Sequence, residues 1–151
     1  MITVKKISKA ELPKLVEISY MGDDEMFDKY HNLVFDKVPY VNFYSAVLST
    51  LQLIHETSKE IRCSYYKIIA DKQPIGFFVT FDGYLYSFGM AMKYRKKEYL
   101  IQWFNSVKKV LGKNFRAMLY DNNTRAISHL EKQGMKIIDI DPETKIVTLQ
   151  N

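Results

Sequence analysis

A mixed α+β domain, with a mostly antiparallel central sheet flanked by helices, is the fold class this sequence predicts, and three stretches predict it. Residues 64–92 alternate apolar and polar side chains around Asp82-Gly83, a two-residue turn signal that makes a meander of three strands. Residues 94–112 switch to a helical stripe, with Tyr99, Leu100, Trp103, Phe104, Val107, Val110 and Leu111 on one side and Gly112 as the stop. Residues 122–140 hold a short amphipathic helix running straight into a strand: Asn122 and Asn123 offer oxygens to the first-turn amides, Ala126, Ile127 and Leu130 form the apolar stripe, and Gly134 ends it.

Taken in chain order, Ile2, Val4 and Ile7 alternate as a first strand, and Ser8 caps a helix through Leu12, Leu15, Val16 and Ser19 with Pro13 in its first turns. Two further helical segments are expected over residues 25–35 and 41–59, separated by Pro39. Ser64 to Ala70 reads as a strand, Asp71 to Pro74 as a turn, Ile75 to Phe81 as a strand, and Tyr84 to Met92 completes the meander. After the basic-headed helix, Phe115 to Leu119 forms a strand, the capped helix follows, and Met135 to Ile140 with Lys145 to Leu149 close the sheet as a hairpin around Asp141-Pro142. The resulting order is βααα-βββ-α-β-α-ββ, without repeats, linkers or low-complexity segments.

The 151 residues fit one domain, 1–151, large enough to bury a core without covalent staples. A hydrophobic fraction of 47%, with eleven Tyr and nine Phe, argues against disorder. The single cysteine, Cys63, excludes an intrachain disulfide and reads as a small apolar strand residue. No stretch approaches the roughly 18 apolar residues of a membrane helix, so a soluble, unprocessed, cytoplasmic protein is expected. The net charge of +5 favours acidic partners without choosing among them. Positive charge gathers at Lys93, Arg95, Lys96 and Lys97 and again at Lys108, Lys109, Lys113 and Arg116, whereas Asp23, Asp24 and Glu25 make the acidic run. The three histidines lack ligand spacing, so no metal site is expected; His129 is placed facing solvent beside Leu130.

Asn123, Ala126, Glu131, Lys132, Gly134 and Met135 resemble the N-x-x-A-x-x-x-Y-E-K-x-G-F signature of the GNAT family of N-acetyltransferases. Met135 stands for the final Phe and Leu130 where that family usually has Tyr. The element order is similar to the family's across nearly the whole chain, so the resemblance implies a GNAT-like acyl-CoA N-acyltransferase fold. In size and in its aromatic, lysine-rich style the chain also looks, loosely, like small acetyltransferase-like proteins of tailed bacteriophages, which would place it in a host cytoplasm or a virion.

The resemblance implies a cofactor, acetyl-CoA, lying between the fourth and fifth main strands, with the backbone near Met90 and Met92 polarising the thioester carbonyl. The family's phosphate-cradling loop, R/Q-x-x-G-x-G/A, falls here on Arg95-Lys96-Lys97-Glu98-Tyr99-Leu100, with both glycines replaced. Arg95, Lys96 and Lys97 are therefore the candidate phosphate contacts, and Asn123 joins them at the next helix start. Leu130 cannot protonate a departing thiolate as the family's Tyr often does, and Tyr120, just after the strand that precedes this helix, is the candidate replacement acid. Asp23, Asp24 and Glu25 fall where the family often lines its acceptor site, and their charge suits a cationic amine. The sequence thus supports a divergent N-acetyltransferase acting on an unidentified amine. A second reading is a GNAT-like binding or structural module without activity, as the lost glycines and Tyr would suggest. A nucleic-acid or anionic-surface binder using Lys93 to Lys97 ranks last.

Overall fold

The computed structural model describes residues 1–23, 34–35, 38–39 and 43–151, and their architecture is a seven-stranded sheet between two helical layers. Strand β1 (Ile2–Ile7) is followed by a short 3-10 turn (Lys9–Glu11) and helix α1 (Leu12–Tyr20). Two-residue strands β2 (Val34–Phe35) and β3 (Val38–Pro39) pair with each other, and α2 (Phe43–Glu60) leads into the meander β4 (Ser64–Ala70), β5 (Gln73–Phe81) and β6 (Tyr84–Met90). A second 3-10 turn (Met92–Tyr94) precedes α3 (Lys97–Leu111), then come β7 (Arg116–Tyr120), α4 (Thr124–Lys132), β8 (Lys136–Ile140) and β9 (Ile146–Gln150).

The sheet order is β1-β4-β5-β6-β7-β9-β8, antiparallel throughout except where β6 meets β7. Helices α3 and α4 cover one face with Trp103, Phe104, Val107, Ile127 and Leu130 against Phe78, Leu85, Ala117 and Leu149. Helices α1 and α2 cover the other with Leu12, Leu15, Val16, Val47 and Ile54 against Phe77 and Val79. Alternation along the strands divides each between the two layers, so adjacent Phe77 and Phe78 anchor opposite cores. Tyr66 stacks on Phe78 at 4.8 Å between centroids, whereas Tyr65 leans on the opposite core. This is the split between neighbouring tyrosines that a strand reading requires.

Most expected elements form within a few residues of their predicted limits. One correction concerns the segment before Pro39: Val34–Phe35 ends no helix but pairs antiparallel with Val38–Pro39. Branched Val34 and Val38 and aromatic Phe35 favour extended backbone, and proline is tolerated in a strand whose amide is not needed. The rest of the helix expected over residues 25–35 lies outside the described residues. At the other end, Gly134 adopts φ 102°, the left-handed stop expected of it, and Met135 N donates to Leu130 O at 3.1 Å to close α4.

Candidate functional site

Strands β6 and β7 run parallel but pair only at their beginnings, Tyr84 with Arg116 and Leu85 with Ala117. Beyond Leu85 and Ala117 they separate, and each carries a row of backbone groups not taken up by the other. The gap opens into a cleft of about 1340 Å³ that reaches both faces of the sheet. On the α3–α4 face its walls include Phe88, Lys97, Leu100, Trp103, Asn123 and His129. On the α1–α2 face they include Tyr20, Leu53, Tyr86, Met118, Tyr120 and Ile146. The facing follows from alternation: Ala117, Leu119 and Val147 enter the α3–α4 core, so Met118, Tyr120 and Ile146 point the other way.

Helix α1 lies unusually close to β6. A Cβ built on Gly89 would meet Ser19 Cβ at 2.7 Å and Phe77 Cε1 at 2.9 Å, so only glycine lets the helix end reach the strand end. This contact delivers Asp23, buried to 1% exposure, to the mouth of the cleft. Arg95 binds it through Nη1, donates from Nη2 to Ser19 O at 2.7 Å, and from Nε to Met90 O at 2.8 Å. Arg125, at the start of α4, reaches the same carboxylate at 3.2 Å. Asp23 therefore ties the end of β6 to the helix following β7, bridging the two strands where they are furthest apart. A buried carboxylate requires such partners, because its desolvation would otherwise cost several kcal/mol.

The first turn of α3 carries side chains at both positions where the motif it resembles has glycine. None of residues 95–100 has positive φ, and Lys96 takes the extended N-cap conformation, so side chains at Glu98 and Leu100 impose no backbone strain. Leu100 N donates to Lys96 O at 2.9 Å, while the amides at the very start of α3 have no helical carbonyl before them and Lys97 lines the cleft beside them. Glu98 is exposed in that first turn. The helix dipole thus offers a partial positive charge, set against the Glu98 carboxylate and reinforced by Lys97.

Of the residues singled out from sequence, Asp23, Met90, Arg95, Lys97, Tyr120 and Asn123 all line this one cleft, although they come from three separate stretches, at 23, 90–97 and 120–123. Met92 and Lys96 lie beside it, outside its lining, and Asp24 and Glu25 lie outside the described residues. Asp23 and Arg95 face each other instead of facing solvent.

His129 does not face solvent as expected: it lines the cleft, packs against Trp103 at 5.6 Å, and its Nε2 is buried with no hydrogen-bond partner among the described residues. Burial, with help from Lys132, lowers its pKa below the ordinary 6.5, which keeps the imidazole neutral. The sequence reading also passed over Arg125. The signal for both was a second helical stripe, Arg125, His129 and Lys132 at i, i+4 and i+7, beside the apolar one. Tyr20 and Tyr86 share one wall of the cleft, which their separation in sequence hides.

A parallel pair splayed within an otherwise antiparallel sheet, with a helix N-terminus at each side of the gap, defines the GNAT-type N-acetyltransferase fold. Known structures agree. The PaiA N-acetyltransferase from Thermoplasma acidophilum, determined with coenzyme A, matches 100% of this chain over 98% of its own at a TM-score of 0.54 and 16% identity. YjaB from Escherichia coli, solved in solution in its apo form, matches 99% over 97% at 0.64 and 14%. The aminoglycoside acetyltransferase AAC(6')-Ib in complex with coenzyme A matches 100% over 94% at 0.63 and 12%. No family model matches the sequence. Among curated proteins none matches it. Among the described residues, no helix is long and apolar enough to cross a membrane.

Proposed function

We propose that this chain is an N-acetyltransferase that moves an acetyl group from acetyl-CoA to an amine. The observation that carries the reading is the cleft through the β6–β7 splay, open to both faces of the sheet so that donor and acceptor can enter from opposite sides. The coenzyme's phosphates would rest on the N-terminus of α3 beside Lys97, with Lys96 at its rim, and Asn123 would contact the cofactor at the start of α4. Backbone groups near Met90, left unpaired by β7, would hold and polarise the thioester carbonyl. Arg95 acts here as a positioning residue: it holds Met90 O and Asp23, and so fixes the β6 end against α1.

In that transfer the amine nitrogen would form a C–N bond to the acyl carbon as the C–S bond breaks, the nitrogen's proton passing to water in the cleft and the thiolate being protonated by an acid beside it. Tyr120, at the splayed end of β7, is the candidate donor of that last proton. A neutral attacking amine, a polarised carbonyl and a nearby acid are all the reaction needs, so proximity supplies most of the rate.

A catalytically inactive binding module is favoured by two particular residues. Leu130 is completely buried where the resemblance implies an acid, and Glu98 sets a negative charge in the turn that would meet phosphates. Calorimetric titration of the purified protein with acetyl-CoA, followed by thiol release on adding amines, separates the readings. Micromolar binding and amine-dependent thiol release are expected for the enzyme; binding without release, or no binding at millimolar cofactor, overturns the enzyme and identifies the inactive module.

A further inference from the structure

Strand β8 ends the seven-stranded sheet, so one row of its backbone groups faces no neighbouring strand among the described residues. All five of its residues are exposed, with Ile137 at 41%, Ile138 at 48% and Ile140 at 57%. Three exposed isoleucines on an open edge invite uncontrolled pairing unless one partner is specified. The register with β9 shows how it is specified. Lys136 stands opposite Gln150, Ile137 opposite Leu149, Asp139 opposite Thr148 and Ile140 opposite Val147, which leaves Ile138 as the extra residue of a bulge. Leu149 and Val147 enter the α3–α4 core, so Ile137 and Ile140 lie on that face while Lys136 and Asp139 share the other. In an unbroken strand residues three apart point to opposite faces; here the bulge puts the cation and the anion on the same one.

Run antiparallel to itself, Lys136-Ile137-Ile138-Asp139 is its own complement. Lys136 meets the partner's Asp139 and Ile137 meets the partner's Ile138, each pair occurring twice about an axis between Ile137 and Ile138, and the two identical bulges keep the residue count equal on both strands. We infer that β8 is a self-association surface, pairing with β8 of a second copy of this chain to make one continuous sheet across a twofold axis. A slip of one residue sets Lys136 against the partner's Ile138 or the partner's Ile140 and leaves the charges unmatched, so the charges select this register. The opposite edge of the sheet is built differently: β1 carries Lys5 and Lys6 and no acid, so two such edges repel. A five-residue strand is a small contact, which makes the β8 dimer a micromolar one.

Sedimentation equilibrium of the purified chain from about 1 to 500 µM tests this, a range that brackets micromolar association. The expected mass rises from one chain to two and stops there, because a twofold contact closes on itself. Lys136→Asp sets acid against acid and Asp139→Lys sets base against base, so each should weaken association by about tenfold or more. The double variant Lys136→Asp with Asp139→Lys restores opposite charges across the axis and should recover the dimer. Both side chains are exposed, and unchanged far-ultraviolet circular dichroism of each variant checks that the fold is kept. A chain that stays monomeric at every concentration, an open-ended assembly, a dimer indifferent to the single reversals, or a double variant that fails to recover overturns the inference.

Discussion

The two faces of the cleft are built on opposite principles. The α3–α4 face presents helix N-termini, Lys97, Asn123 and Arg125, with Trp103 behind them, so it is positive and rich in donors. The α1–α2 face presents aliphatic chains and phenol rings, and the hydroxyls of Tyr20 and Tyr86 bond to α2. Between them stands one ionic bridge, Arg95–Asp23–Arg125, joining the β6 end to α4 where the sheet itself has no ladder. A positive face and a largely apolar face need not be designed together. What must be shared is the seam, and here the seam is a few charged groups brought together from three segments.

Breaking the seam gives the largest expected effect. Asp23→Ala removes the carboxylate that two guanidiniums share and leaves them facing each other in a partly buried site. Unfolding stability should fall by about 3 kcal/mol, the low end for a broken buried pair because both arginines keep some solvent. Denaturant unfolding measures the loss. A change within experimental error would mean that the cleft mouth is held by packing alone.

Gly89→Ala attacks the same seam sterically. The new methyl would stand 2.7 Å from Ser19 Cβ, so α1 must withdraw from β6 and carry Ser19 O away from Arg95. A cost of about 2 kcal/mol is expected for such overpacking. Gly134→Ala is a useful control, because nothing lies within 4 Å of its Cβ and only the φ of 102° penalises it. If the two substitutions cost the same, backbone conformation rather than close approach sets the β6–α1 contact.

These two sites also mark what could be read from the residues in order. The meander, the α3 stripe and the capped α4 rest on local periodicity and turn chemistry, which short windows contain, and each forms within a few residues of its expected limits. Gly134 was legible because a helix stop needs only its own φ. Gly89 was not, since its reason is a helix end 70 positions earlier in the chain. The cleft residues divide in the same way. Lys97, Asn123 and Tyr120 stand at element ends, where motif spacing finds them. The engagement of Arg95 by Asp23 depends on how α1 docks on β6, and spacing carries no information about that. Val34–Phe35 shows the converse failure, a short apolar pair whose neighbours suggested a helix while its branched and aromatic side chains, and its partner across Pro39, settle on a strand.

The smallest effect concerns the α3–α4 face alone and sharpens the contrast with the α1–α2 face, whose cleft lining holds no histidine among the described residues. His129 has its pKa lowered by burial first and by Lys132 second, so the unfolded chain takes up a proton at a higher pH than the fold does. Below the ordinary histidine value of 6.5 the unfolded state binds more protons, and stability contributed by the neutral imidazole is lost as pH falls from there through the lowered folded pKa. Above it the contribution is fully present. Unfolding free energy measured between pH 7.5 and pH 5 should therefore decline on acidification, by less than either seam substitution costs, and His129→Gln should flatten that decline while retaining a polar side chain against Trp103. An unchanged slope in the variant would assign the acid sensitivity to other groups. If the slope flattens, the imidazole must stay neutral and poorly solvated beside Trp103, and the α3–α4 face then combines a cationic rim with a dry interior.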